Sequence, residues 1–124
     1  KPVTDAALPP CGALPNCVNS QSGEGSQAIA PLKATPLQWE ALKRWMAGQA
    51  NWTISVDTPD FVQAVVKTPL MRFRDDVQLL YSRRSGMIQV RSSSRLGISD
   101  MGANRRRVES LRAQLTSEAA PVAP

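Results

Sequence analysis

The alternation of apolar and polar residues predicts two helices, one early in the regular part of the chain and one near its end. The first begins at Thr35, where a threonine cap, a proline at the first helical position and a glutamine three residues on form a capping box. Apolar residues then recur at helical spacing at Trp39, Leu42, Trp45 and Met46. The second helix is predicted over about 103–115, with a core-facing line of Val108, Leu111 and Leu115.

Four β-strands are predicted between the helices, because apolar residues there alternate with polar ones at a period of two. In the first, third and fourth strands the core-facing positions are Trp52, Ile54 and Val56, then Phe73, Asp75, Val77, Leu79 and Tyr81, then Ile88 and Val90. The second strand is the run 61–68. The order α-β-β-β-β-α predicts an α+β fold. We expect a four-stranded antiparallel meander with two helices packed on one face.

The first 34 residues show no such periodicity and carry five of the ten prolines. We therefore expect an irregular N-terminal arm over 1–34, a single α+β domain over 35–116 and a flexible tail over 117–124. The sequence starts at Lys1 rather than Met, as is expected where a leader has been removed and also in a trimmed chain.

Cys11 and Cys17 are the two cysteines, and three interpretations of the pair are open. A zinc site needs about four ligands, which two cysteines in a chain without histidine cannot supply alone. A thioredoxin-type redox centre has two residues between its cysteines rather than five. A structural disulfide that pins the arm fits best, and it implies an oxidising, exported location.

Composition excludes several classes of function. The chain has 124 residues and no histidine, so Ser-His-Asp and Cys-His catalysis and histidine-ligated metals are excluded. It also has no apolar run of the roughly 20 residues that a membrane-spanning helix needs. We predict no cofactor, no metal site and no catalytic residues.

Arginine is concentrated in one segment. Ten of the eleven arginines fall between Arg72 and Arg112, where there are only four acids, so this stretch has a net charge of +6. The planar guanidinium group suits bidentate pairing with carboxylate or phosphate.

Some polar residues of this segment fall in phase with the core, and they predict a buried hydrogen-bonded network. Its expected members are Asp75, Ser92, Ser94, Asp100, Asn104 and Arg107, with Arg107 paired to Asp75 or Asp100. A recessed pocket for an anion or polar ligand is the alternative interpretation of the same residues.

The outward-facing arginines are candidates for binding a partner or ligand, because the acids are too few to pair with them all. The candidates are Arg72, Arg91, Arg95, Arg105 and Arg106. They could also form an ordinary solvated basic face, or meet an acidic protein or anionic lipid headgroups. We expect no nucleic-acid partner, because the aromatic residues fall in core-facing positions rather than between the basic ones.

Three blocks of the sequence resemble the signatures of the domain-of-unknown-function family 1499. They are PNCVNS at 15–20, RFRDDV at 72–77 and RSSSRLGISDMGANRRRVE at 91–109, in this order over about residues 8–115. The resemblance implies a single exported domain, typically bacterial and periplasmic, sometimes membrane-associated, or of the thylakoid lumen in plastids. It implies no activity.

Three functions remain open at this point. The first is a non-catalytic interaction module, an accessory subunit that docks on a membrane protein complex through its basic face and its arm. The second is a binding protein for an anionic small molecule or a lipid headgroup. An enzyme is the least favoured, because Asp75 and Asp76 are neighbours on a strand and face opposite ways.

Overall fold

The computed structural model describes residues 7–97 and 100–119. Two helices and six strands form the fold. In chain order they are β1 (Cys17–Asn19), β2 (Leu32–Lys33), α1 (Pro36–Ala47), β3 (Trp52–Thr58), β4 (Phe61–Lys67), β5 (Arg74–Ser82), β6 (Met87–Ser94) and α2 (Ala103–Ala119). A short 3-10 helix, Gly25–Gln27, lies between β1 and β2. The predicted α+β class is confirmed.

All six strands belong to one antiparallel sheet. Strands β3 to β6 form the predicted meander, and β1 and β2 both pair with the outer edge of β6. The prediction of four strands was therefore wrong. The arm supplies two more, because unpaired backbone groups along the edge of β6 need partners and the arm's Val18 and Leu32 bring buried apolar side chains with them.

The first helix starts as predicted. The Thr35 hydroxyl accepts a hydrogen bond from the Gln38 backbone N–H (3.2 Å), and the Gln38 side chain accepts one from the Thr35 N–H (2.7 Å). This capping box fixes the start of α1 and so sets which face carries the buried Trp39. The Trp39 indole donates to the Pro59 carbonyl (2.7 Å) and stacks on Tyr81.

One core joins both helices to one face of the sheet. Apolar side chains of α1 and α2 pack with alternate residues of the central strands, among them Val62, Val77, Leu79 and Val90. The opposite face of the sheet, which we call the outer face, carries the strand residues that alternate in sequence with these core residues. The arm reaches the outer face near Pro10, whose carbonyl accepts a hydrogen bond from Arg91, and Leu8 close by in sequence is buried.

Three details of the elements differ from the prediction. Phe73, predicted as a core-facing strand residue, lies just before β5 and is exposed, because the strand pairing begins only at Arg74. A bulge shifts the register between Ile54 and Val56, which leaves Val56 exposed although its spacing predicts a core position. The second helix ends at Ala119, beyond the predicted 115. The rest of the predicted tail, 120–124, lies outside the described residues, and the division into arm, domain and tail stays a prediction.

The predicted disulfide is present. Cys11 and Cys17 are bonded, with their Cα atoms 5.7 Å apart, and Cys17 is the first residue of β1, so the bond ties the arm to the sheet. It indicates a non-cytoplasmic environment. Among the residues that the structure describes, no helix is long and apolar enough to cross a membrane.

Candidate functional site

The six polar residues predicted to form a network do converge beneath α2. Asp75 reaches in from β5 and Ser92 from β6, and both meet Arg107 of α2. The Arg107 Nη2 lies 2.8 Å from Asp75 Oδ2, and its Nη1 donates to Ser92 Oγ (3.1 Å) and to Asn104 Oδ1 (2.8 Å). The two charged side chains are only 10% and 2% exposed, so this is a buried ion pair.

Asn104 links the ion pair to the start of α2. Its Nδ2 donates to Asp100 Oδ2 (2.6 Å) and Ser94 Oγ (2.9 Å), and lies 3.1 Å from the Asn16 carbonyl. Burial alone would raise the pKa of Asp100. The hydrogen bonds from the Asn104 side chain and from the N–H groups of Gly102 and Asn104 outweigh burial, and the pKa of Asp100 falls below its ordinary value.

The network ties helix to sheet, and its buried side-chain polar atoms are hydrogen-bonded to one another with one exception. Asp75 Oδ2 meets Arg107 as an ion pair but accepts no hydrogen bond from the described residues. Asn104 is fully buried, and Ser92 donates to it at 2.6 Å. A cleft of about 220 Å³ adjoins the network at Asp100 and Arg105, but both side chains are already bonded within the protein. The arrangement is that of a structural brace rather than of a recessed anion pocket.

Three arginines hold the arm in place through its backbone. Each guanidinium donates to arm carbonyls: Arg91 to Pro10, Arg105 to Ser26 and Ala28, and Arg112 to Ala30 and Pro31. We call these three residues the arginine clamp. Two of them, Arg91 and Arg105, were predicted as partner-binding candidates, but both donate their hydrogen bonds to groups within the protein.

Arg91 is a partly buried member of the clamp. Burial lowers the pKa of Arg91, and the charge of Asp76 only partly compensates. Its Nη1 donates to Gln78 Oε1 (3.1 Å) on the outer face of the sheet, while its Nε has no hydrogen-bond acceptor within the described part of the chain.

The candidates Arg95 and Arg106 also have partners. Arg95 makes two hydrogen bonds to the Asp76 carboxylate (2.9 and 3.0 Å), which raise the pKa of Arg95. Arg106 donates to the backbone carbonyl of Met101 (2.8 Å). Of the five candidates, Arg72 alone has a side chain without a hydrogen bond or ion pair to any described residue.

Arg72 lies in the connection between β4 and β5. Backbone and side-chain bonds between Thr68 and Phe73 close this loop, at 2.8 and 2.9 Å. Arg72 itself takes a φ of 57°, the left-handed region that a side chain with a Cβ disfavours. Such backbone conformations cluster at functional sites.

Two further cations flank the loop. Lys67 ends β4 and Arg74 begins β5, and the antiparallel register places them directly opposite each other. Together with Arg72 they line a cleft of about 300 Å³, whose other walls include Thr53 and Val65. We call Lys67, Arg72 and Arg74 the cationic cleft.

Nothing neutralises the cationic cleft within residues 7–97 and 100–119. None of its three charged side chains has a hydrogen bond or ion pair there, and the cleft is lined by no acid. Asp75 next in sequence faces the core and is held by Arg107, and Asp76 is held by Arg95. Like charges directly opposite on paired strands are destabilising, so the arrangement favours an external anion.

Sequence reasoning missed Lys67 and Arg74, since it assigned the two strands without pairing them. The signal was present in the short connection 68–73, which sets the register of a hairpin and brings these residues face to face.

A larger cleft, of about 750 Å³, lies at the other end of the sheet between the β5–β6 hairpin and the start of α1. Its lining includes Tyr81, Met87 and the cations Lys33 and Arg84, whose side chains have no hydrogen-bond or ion-pair partner in the described structure. No group of three or more potential metal ligands occurs among the described residues.

Comparison with known families confirms the resemblance seen in the sequence. A family model described as "Protein of unknown function (DUF1499)" matches residues 7–115, and the chain belongs to this family. No curated protein and no solved structure matches it.

Proposed function

We propose that this DUF1499 protein is a non-catalytic, exported periplasmic module that binds anionic groups in the cationic cleft. The observation that carries the proposal is the opposition of Lys67 and Arg74 beside Arg72, without an acid to neutralise them. Three convergent cations suit a phosphate or carboxylate group, to which each donates a charge-assisted hydrogen bond.

The carboxylates of the chain support a non-catalytic role. Asp75 and Asp100 are committed to the network beneath α2, and the chain has no histidine to serve as a general base. The disulfide supports export, and we propose that a signal peptide directs it.

The test is a titration of the protein with inorganic phosphate and glycerol phosphate. We expect a dissociation constant on the order of 1 mM, so that about 10 mM ligand stabilises the fold by about 1.4 kcal/mol. Amide NMR shifts should concentrate on the connection 68–73 and on the parts of β3, β4 and β5 that line the cleft.

Lys67→Gln and Arg74→Gln together should abolish phosphate binding and, because they relieve the like-charge pair, raise the ligand-free stability by a few tenths of a kcal/mol. Lys33→Gln with Arg84→Gln is the matched control, since it removes the same charge from the opposite end. Equal loss of binding in both double variants would show that net charge, rather than the cleft, attracts the anion.

A second candidate function is that of an accessory subunit on a membrane protein complex. The larger cleft favours it, because it holds two cations without a partner among the described residues, Lys33 and Arg84, and is bordered by the start of α1, where Leu37 is exposed. Cations beside an apolar side chain suit an acidic segment of a protein partner. Affinity purification from solubilised membranes tests this, and Lys33→Glu with Arg84→Glu should release the partner. Substitution of Arg105 would be a poor test, because Arg105 holds the arm.

A further inference from the structure

The loop that carries Arg72 also exposes three apolar side chains. Leu70 is 93% exposed, Met71 68% and Phe73 39%. We call these three residues the apolar tip. They follow one another with only Arg72 between them, so apolar and cationic side chains alternate at the end of one hairpin.

The neighbouring connection adds to this surface. The Arg95 N–H donates to the Arg74 carbonyl (3.1 Å), so the chain leaving β6 lies beside the chain entering β5. The next residue, Leu96, is 65% exposed. Large apolar side chains grouped at one end of a protein mark an interaction surface.

We propose that this end of the sheet docks on an anionic lipid membrane. Leu70 and Met71 would enter the boundary between headgroups and acyl chains, while the cationic cleft binds the lipid phosphates. The inference rests on the proposed anion site and names a lipid as the molecule that carries the anion. Peripheral proteins combine the same two forces, apolar insertion and attraction to anionic headgroups.

The distribution of charge supports this orientation. Acids at the opposite end of the sheet are paired with cations there, as in Lys43 with Asp57 (2.9 Å) and Arg83 with Asp60 (3.1 Å). From Phe61 to Arg74 the sequence has three cations and no acid. Lys33 and Arg84 also lie at that opposite end, so charge alone would draw an anionic surface to both ends. The acid-free run 61–74 lies beside the exposed Leu70 and Met71, and these apolar side chains select the apolar-tip end for insertion.

The shape of the surface favours lipid over a protein partner. A stable protein interface buries about 800 Å² on each side, over a broad complementary patch. The apolar tip lies instead in a six-residue hairpin connection, 68–73, in which every residue after Thr68 is exposed. A projecting apolar loop flanked by basic side chains can enter a fluid lipid interface without a preformed groove.

The experiment is vesicle co-sedimentation of the full chain, with phosphatidylcholine vesicles that contain or lack phosphatidylglycerol. We expect at least tenfold tighter binding to the anionic vesicles. Each cation near the surface contributes about fivefold, so Lys67→Gln with Arg74→Gln should weaken binding about 30-fold. At about 1 M salt, where the screening length is about 3 Å, most of this difference should disappear.

Leu70→Ser with Met71→Ser tests insertion. We expect at least a tenfold loss of vesicle binding with phosphate binding unchanged. Leu37→Ser is the matched control, since Leu37 is 83% exposed at the opposite end of the molecule. This variant should leave vesicle binding and phosphate binding unchanged.

The outcomes separate the two proposals. Phosphate binding without any vesicle binding would overturn the membrane inference and leave the anion site in place. Vesicle binding that survives loss of Leu70 and Met71, or that occurs only on membranes containing other proteins, would also overturn it. Binding of neither phosphate nor vesicles would overturn both.

Discussion

Arg107→Ala is the sharpest test of the network, because it removes one member of a buried ion pair. The Asp75 carboxylate that remains is 2% exposed, and its charged partner in the native protein is Arg107, 2.8 Å away. Stranding a buried charge costs about 3–5 kcal/mol. For a domain of this size that corresponds to a fall in Tm of roughly 10–20 °C.

The measurement is urea unfolding followed by tryptophan fluorescence, with a calorimetric Tm beside it. Arg83→Ala is the matched control, since its pair with Asp60 is about half exposed on both sides and should cost less than about 1 kcal/mol. In a double-mutant cycle, Asp75→Asn should recover about 2 kcal/mol of the Arg107→Ala loss. A loss below about 1 kcal/mol for Arg107→Ala would refute the reasoning, because the carboxylate would then have to be solvated.

Two other predictions concern Asp100 and the arginine clamp. The pKa of Asp100 is lowered in the folded state, so its stabilisation is complete above its unfolded pKa of about 3.9 and disappears as the pH falls through the lower folded value. In the native protein the urea unfolding midpoint should fall as the pH is lowered towards the pKa of Asp100. Asp100→Asn should make this fall smaller, and an equal fall in the variant would contradict the prediction. Arg112→Ala should speed amide exchange over 28–32, because two arm carbonyls lose their donor, whereas Arg106→Ala, which removes no arm contact, should not. Equal exchange in both variants would show that the clamp does not hold the arm.

The elements of the fold were predictable wherever a pattern extended over several residues. The capping box at Thr35 and the two-residue period from Asp75 to Tyr81 are long enough to be unambiguous. β1 and β2 have three and two residues, too few to show a period, and they form because β6 offers a free edge. The exposure of Val56 depends on a bulge that no local pattern reveals.

The network was more predictable than the cleft, for a physical reason. Ser92 and Asn104 are polar residues in core-facing phase, and a buried polar group has to find a partner. Lys67 and Arg74 are polar residues in solvent-facing phase, which is ordinary in any strand. Only the register of the hairpin shows that their charges face each other.

The arginine surplus suggested a broad basic face, and that interpretation counted only acids as partners. A guanidinium group has five N–H donors, and backbone carbonyls satisfy several of them here without any carboxylate. The arginine clamp binds an arm whose proline-rich chain pairs with the sheet over only five residues, so its carbonyls are free to accept. Once these internal contacts are subtracted, the cations without a partner in the described structure lie largely in two places, the cationic cleft and the larger cleft with Lys33 and Arg84. Part of the basic composition therefore stabilises the arm, while these two clefts are left to meet other molecules.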